Sequence, residues 1–302
     1  MTGYAGIDAG GTLIKIAYGR GTAAAENEQS GGVSASMPIL VKFPTAEIDA
    51  AVAWVRRRVP RDTVIGFTGG QAQRLRDLLP EYMASAVGIP EFEATAEGAV
   101  RILEAEKEAG EAGTASERFV LVNVGTGTSL HMIEGAERPR LGGIGLGGGT
   151  IVGLTGLLCG MRDYGEIARL APLGDREAVD LTVGQIYAPA VPPIAGDLTA
   201  ANFARPVPPA SGARPQDYAA AVIGMVAEIV VTVGVQAAGL QGTNRVVYVG
   251  SSYENNALLR ELTLRFTHML GAAAQIPKQG PYSGAIGALH LAAGNLTDQK
   301  AN

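Results

Sequence analysis

Short hydrophobic blocks recur along the chain and divide it into two similar halves. Residues 4–8 read as a short buried strand, residues 9–12 as a turn, and Leu13 to Tyr18 as the return strand. "MPILVKFP" reads as a further strand. In "TAEIDAAVAWVRRRV" the helical spacing puts Ile48, Val52 and Val55 on one face, with Thr45 as N-cap. "DTVIGFTGG" predicts a strand ending in a glycine loop at Gly69 and Gly70, and "AQRLRDLL" a helix. Composition predicts another helix from Thr95 to Glu108, with "AGEAGTASE" after it as a linker. The second half starts with "RFVLVNVGTGTSLHMIEG", again an apolar strand, an Asp or Asn, a Gly/Thr turn and a second strand. Asp8 to Thr12 thus pairs with Asn123 to Ser129, and such a repeat implies two similar domains, 1–118 and 119–302, facing each other across a cleft. Later come a strand at Val246 to Val249, the loop Gly250-Ser251-Ser252 and a helix beginning near Asn255. "PYSGAIGALHLAAG" carries small residues at helical spacing, suited to close packing on a neighbouring element.

One stretch, Tyr218 to Leu240, has the length of a membrane span, but Glu228 near its middle is costly in lipid. No second span or flanking basic cluster supports a membrane role. A helix apolar all round also suits a core or a subunit interface, and this one is expected to pack against its copy in a two-fold homodimer. The net charge of −5, without a basic stripe, speaks against nucleic-acid binding, so an anionic substrate needs a local positive site. The single cysteine, Cys159, excludes an intrachain disulfide and any multi-cysteine metal site. "MTGYAGIDAG" has no basic n-region and runs straight into a strand, so a reduced, cytoplasmic setting is the natural reading.

The chemistry gathers at the glycine turns. Gly10 and Gly11 shape a loop whose N–H groups, from Gly10 to Leu13, suit phosphate oxygens, with Thr12 adding a hydroxyl and Lys15 a point charge. Asp8 beside such a loop makes sense if a Mg²⁺ ion sits between carboxylate and triphosphate, because Mg²⁺ takes one or two carboxylates besides phosphates and water. The competing reading is a tight hairpin with an Asx-type turn. The second turn, Gly125, Thr126, Gly127 and Thr128, favours the phosphate reading. A third stretch, "RLGGIGLGGGTIVGLTGLL", matches GxGxxG from Gly143 to Gly148 but lacks the preceding buried strand of a dinucleotide site. Its amides at Gly147, Gly148 and Gly149 open a helix and could face an anion. No Gly-Lys dipeptide occurs, which disfavours the P-loop fold. What remains is an α/β protein of two actin-like, ribonuclease H-like domains with mixed sheets flanking a nucleotide cleft. Without further information Glu91, Glu93 and Glu97 are equal candidates for a general base.

"GIDAGGTLIKI", "NVGTGTSLH", "GGIGLGGGTI", "PPIAGDLTAANF", "VVYVGSS" and "YSGAIGAL" together resemble the type II pantothenate kinases of Gram-positive bacteria over nearly the whole chain. The resemblance implies ATP- and Mg²⁺-dependent phosphorylation of pantothenate by a homodimer. It also implies Glu91, in "PEFEATAEG", as the base, and Arg140 as the arginine that meets the substrate carboxylate or developing phosphoryl charge, with Arg138 its confounder. Ser129 matches a polar substrate contact, Thr199 with Ala200 a contact reaching pantothenate at the dimer interface, and Gly250, Ser251 and Ser252 lie near the adenosine. The chain departs from the family in a longer stretch at 19–36 and in lacking an aromatic near Gln275 and Ile276, which bears on the substrate-tail pocket. His131, His268 and His290 show no metal-ligand spacing and read as structural. The alternatives are another small-molecule kinase of the superfamily, acting on a sugar or N-acetylhexosamine, and a non-enzymatic nucleotide switch. One cysteine cannot build the zinc site common in repressor-type sugar kinases.

Overall fold

The structure, a computed structural model, describes residues 3–20, 38–110, 118–205 and 212–301. The bulk of the 19–36 stretch and of the linker at 109–117 lies outside the described residues. The first lobe runs β1 (Gly3–Ala9), β2 (Leu13–Arg20), β3 (Ile39–Pro44), α1 (Ile48–Arg58), β4 (Val64–Thr68), α2 (Ala72–Asp77), β5 (Ala86–Gly88) and α3 (Glu91–Glu108). Its sheet has the order β3-β2-β1-β4-β5, with β1, β2 and β3 antiparallel and β4 and β5 parallel to β1. The second lobe runs β6 (Arg118–Val124), β7 (Thr128–Glu134), β8 (Arg140–Ile144), α4 (Gly148–Cys159), α5 (Tyr164–Leu170), β9 (Leu181–Thr182), α6 (Val183–Tyr187), β10 (Thr199–Ala201), α7 (Pro215–Leu240), β11 (Arg245–Val249), α8 (Ala257–Met269), β12 (Ala273–Gln275) and α9 (Ser283–Ala301). Its sheet reads β8-β7-β6-β11-β12, the same order with the same directions. The internal repeat legible in the turns is therefore a repeat of whole sheets.

Local rules account for most elements. β1 and β4 are central and buried nearly throughout, whereas edge strand β3 has no buried position, exposes Ile39, Lys42 and Pro44, and ends in a proline that a sheet interior would not tolerate. α1 buries Ile48, Val52 and Val55 as its spacing predicts and ends in Arg56, Arg57 and Arg58, where cations suit the helix dipole. Thr45 does not cap α1. It opens a short 3-10 turn, and its backbone N–H and hydroxyl are spent on the carbonyls of Thr12 and Gly10, each at 2.9 Å. α3 starts at Glu91, four residues before the Thr95 expected from composition, because Pro90 fixes the N-cap at φ −57° and leaves no amide to satisfy.

The membrane-length helix α7 is a core helix. Val222, Ile223, Val226, Val230 and Val231 are buried among the strands and helices of the second lobe. Glu228 is tolerated because Arg176 (2.9 Å), Thr199 (2.8 Å) and Asn202 (3.4 Å) surround it.

The sheets divide between β5 and β6, with Arg118 already in the second sheet, but the helices do not follow that division. α9 lies on the first sheet, burying Ala285, Ile286 and Leu289 against Ala17 and α3's Ile102. α3 in turn buries Ala96 and Ala99 against Phe119, Leu121 and Val247 of the second sheet. The two helices cross where neither can carry a side chain. A Cβ on Gly98 would strike the Ser283 carbonyl, and one on Gly287 the Ala94 carbonyl. Gly6 and Gly66 likewise let α9 sit directly on β1 and β4. Backbone rather than a side-chain tip blocks these positions, so Gly287→Val should destabilise the protein by about 3 kcal/mol or more in urea unfolding. Gly239→Ala, in α7 with open space around it, should instead raise stability by about 0.5 kcal/mol.

Candidate active site

Between the lobes lies a cleft of ≈ 440 Å³, within the ordinary size of a small-molecule site. The β1–β2 and β6–β7 turns face each other across it, with the Thr12 and Thr126 hydroxyls 3.4 Å apart. Each turn closes on its own first amide, Gly10 N–H donating to Leu13 O at 3.0 Å and Gly125 N–H to Gly127 O at 2.9 Å. Gly10 and Gly125 thus shape the loops but do not offer their amides. Within the two turns, the amides of Gly11, Thr12, Thr126 and Gly127 donate to no backbone carbonyl among the described residues and are available to an anion.

The third glycine run has another use. Gly148 N–H donates to Gly125 O (2.8 Å) and Gly149 N–H to Thr126 O (3.0 Å), while a Cβ on Gly147 would lie 2.8–2.9 Å from the Gly125, Thr126 and Gly127 carbonyls. The start of α4 therefore buttresses the second turn, and its amides are not free for an anion as the sequence suggested. Thr128 and Ser252 are also structural here, donating to Leu146 O (2.7 Å) and Gly125 O (3.0 Å).

Asp8, one residue before the end of β1, lines the cleft wall 3.4 Å from Lys15, its partner directly across the hairpin. Its carboxylate is wedged between two glycines: a Cβ on Gly69 would lie 2.7 Å from Oδ1, and one on Gly284 2.7 Å from Oδ2. Gly69 has φ +90°, a backbone conformation that favours glycine anyway. The second lobe repeats the arrangement with Asn123, whose Oδ1 sits against Gly250 at φ +109°. Its cross-strand partner is Ser129 where the first lobe has Lys15.

Glu91, Phe92 and Thr95 reach the cleft from the first turn of α3. Partial burial pushes the Glu91 carboxyl above the usual carboxylate range, Asp8 adds to this, and Lys15 opposes it. Glu97 is buried and held below the ordinary value by Arg138 and Arg101, each at 2.6 Å, despite the opposing cost of burial. That pairing removes both Glu97 and Arg138 from candidacy, and Glu93 does not line the cleft. Arg140, at the start of β8, lines the cleft with its guanidinium 5.2 Å from the Phe92 ring centre and close over Gly143, whose added Cβ would lie 2.7 Å from Nη2. Asp8, Gly10, Gly11, Thr12, Leu13, Lys15, Glu91, Gly125 to Ser129, Arg140, Gly250 and Ser251 are thus brought together.

Thr199 and Ala200 do not reach this cleft in the single chain; the Thr199 hydroxyl bridges Arg176 and Glu228. Gln275 and Ile276 are also elsewhere, Gln275 bonding Arg245 and Glu106 and Ile276 buried in the second lobe. Phe92 carries no signal in the sequence, and His131, expected to be structural, is buried beside it. Phe92 is 44% exposed beside Glu91, and its ring stands 5.0 Å from buried His131.

Two lobes of repeated topology with opposed glycine turns and a titratable acid between them define the actin-like class of nucleotide-dependent proteins. Solved structures with this fold include the (R)-2-hydroxyglutaryl-CoA dehydratase component A of Acidaminococcus fermentans (TM-score 0.61, 14% identity, covering 98% of this chain and all of that one). A ROK family glucokinase from Streptomyces griseus is similar at TM-score 0.52 and 14% identity, covering 96% of this chain and 98% of its own. The Fumble family describes residues 4–291. The chain is 37% identical to the type II pantothenate kinase of Staphylococcus haemolyticus (95% of this chain, 98% of that protein) and 38% identical to that of Staphylococcus aureus (95% and 98%). The chain belongs to the type II pantothenate kinase family, a family of ATP-using kinases.

The charges around Glu91 make a direct test possible. Asp8→Asn should lower the Glu91 pKa and Lys15→Met should raise it, both read from the carboxyl carbon shift in an NMR titration.

Proposed function

We propose that this protein transfers the γ-phosphoryl group of ATP to the primary hydroxyl of pantothenate, giving 4'-phosphopantothenate, the first step of coenzyme A biosynthesis. The observation that carries the proposal is the meeting of Glu91 and Arg140 with both phosphate-type turns in one cleft. The amides of Gly11, Thr12, Thr126 and Gly127 hold phosphate oxygens, with Lys15 as a point charge. Glu91 accepts the hydroxyl proton as the phosphoryl group moves, and its raised pKa brings it closer to neutral, where a base is most effective. Arg140 meets the substrate carboxylate or the charge developing on the transferred group. Gly250 and Ser251 flank the nucleoside.

Mg²⁺ fits the donor set. Among the described residues no cluster of three or more His, Cys, Asp or Glu side chains forms a metal cage, and Asp8 supplies one hard carboxylate beside the phosphate turns. The ion, when bound, neutralises phosphate charge.

The protein works as a cytoplasmic homodimer in this reading. α7 spends its apolar face inside its own chain, so the self-packing expected of it gives way to the arm between β9 and β10. There Ile186, Tyr187, Val191 and Ile194 are exposed, at 54, 44, 91 and 57%. In the dimer this arm carries Thr199 and Ala200 toward the partner's cleft.

A coupled assay should show ATP consumption with pantothenate and none with a panel of sugars and N-acetylhexosamines; turnover on a sugar alone would overturn the substrate. Glu91→Gln should lower kcat by about 10²–10⁴-fold with ATP binding intact by calorimetry. Full activity in that variant would remove Glu91 from its role. Light scattering at micromolar concentration should give a dimer, and Val191→Glu should shift it toward monomer.

A further inference from the structure

His131 is one of the most buried polar residues in the protein, at 1% exposure, on β7 across from Arg140 on β8. Burial, with Arg140 adding to it, pushes the imidazolium down to about 4, so the ring is neutral at physiological pH. A neutral ring carries one N–H and one bare lone pair, and which nitrogen holds the proton is set by the partners of each. Nε2 lies 3.3 Å from Ser129 Oγ. Nδ1 has no hydrogen-bond partner among the described residues.

The two tautomers are unequal. A proton on Nδ1 would be a buried N–H with no acceptor, at a cost of about 1–3 kcal/mol. Orphaned buried N–H groups are also rarer than under-used acceptors. A proton on Nε2 is donated to Ser129 Oγ and leaves only a lone pair unused. The Ser129 oxygen then already accepts a bond from within the protein, and its own proton has no other partner among the described residues. Ser129 lines the cleft, on the same wall as Arg140 and Thr128.

We infer that His131 is a positioning residue: as the Nε2–H tautomer it holds Ser129 as a hydrogen-bond donor into the cleft, selecting acceptor substrates that present a carbonyl or hydroxyl oxygen there. This rests on the kinase reading given above for the substrate, but not for the tautomer. Phe92 flanks this pair, its ring centre 5.0 Å from the imidazole and 5.2 Å from the Arg140 guanidinium carbon.

Two arms test it. In wild-type protein labelled with ¹⁵N-histidine, long-range ¹H–¹⁵N spectra at pH 7 should show His131 protonated at Nε2 and bare at Nδ1. In kinetics with the acceptor that the wild type phosphorylates, Ser129→Ala and His131→Phe should each lower kcat/KM for that acceptor about tenfold, with KM for ATP unchanged. The double variant should be no worse than either single one. His131→Gln, whose side-chain amide nitrogen takes the place of Nε2, should recover most of the loss. A protonated Nδ1, additive losses, or a glutamine variant no better than phenylalanine overturns the inference. Absence of turnover with pantothenate in the wild type would instead overturn the substrate assignment, and the NMR arm would still decide the tautomer.

Discussion

The crossing of α3 and α9 is the constraint on which the rest depends. Each lobe ends in a helix that lies partly on the other lobe's side, and the two backbones touch because Gly98 and Gly287 carry no side chain. The consequence reaches the cleft directly. The first turn of α3 supplies Glu91, Phe92 and Thr95, and the first turn of α9 supplies Ser283 and Gly284 beside Asp8. A shift at the crossing would therefore move the candidate base relative to the Asp8 carboxylate. The same geometry points two helix N-termini at the cleft, where Lys15 and Arg140 stand beside Asp8 and Glu91, so any pull on an anion comes from the placement of these groups and not from an excess of positive side chains. The overall field, in a chain of net charge −5, does not attract an anion here.

Repetition of the sheets sets up a second theme, symmetry of scaffold against asymmetry of chemistry. Asp8 and Asn123 occupy matching strand ends, each wedged by a glycine of positive φ from the neighbouring parallel strand. Their cross-strand partners are Lys15 and Ser129. One lobe thus offers an ion pair and the other an amide and a hydroxyl. At this position the first lobe is charged and the second is neutral. The buried His131 behind Ser129 extends the neutral side inward, where the first lobe has nothing comparable.

The elements that sequence reading recovered are those governed by local rules. Short apolar runs placed β1 and β2, helical spacing placed α1, an apolar run of membrane length placed α7, and two Gly/Thr turns at matching places announced the repeat. Errors arose where a residue's partner lies far along the chain. Thr45 looks like a helix cap but is claimed by the first turn, and the amides of Gly148 and Gly149 look free but are claimed by Gly125 and Thr126. Arg138 and Arg140 cannot be told apart two residues from each other; only the presence of Glu97 behind Arg138 separates them. α9's place on the first sheet has one local trace, its small residues, which announce close packing without saying against what. His131 left no signal at all, since a lone histidine in an apolar strand is ordinary and its meaning comes from Ser129, Phe92 and Arg140 around it.

The choice among three glutamates within one helix shows how burial alone misleads. Glu97 is the most enclosed of them, and enclosure is what raises a carboxyl toward a useful pKa. Yet two guanidiniums at 2.6 Å more than offset that cost and hold its proton affinity below the ordinary value, so it is a structural anchor for Arg101 and Arg138. Glu91 is the more accessible group, but it has no hydrogen-bonded cation, and its nearest charged influences, Asp8 and Lys15, largely oppose each other. Partial desolvation therefore prevails at Glu91 and not at Glu97. Glu91 is thus the one of the three that lines the cleft without a hydrogen-bonded cation, at the end of the helix facing the turns.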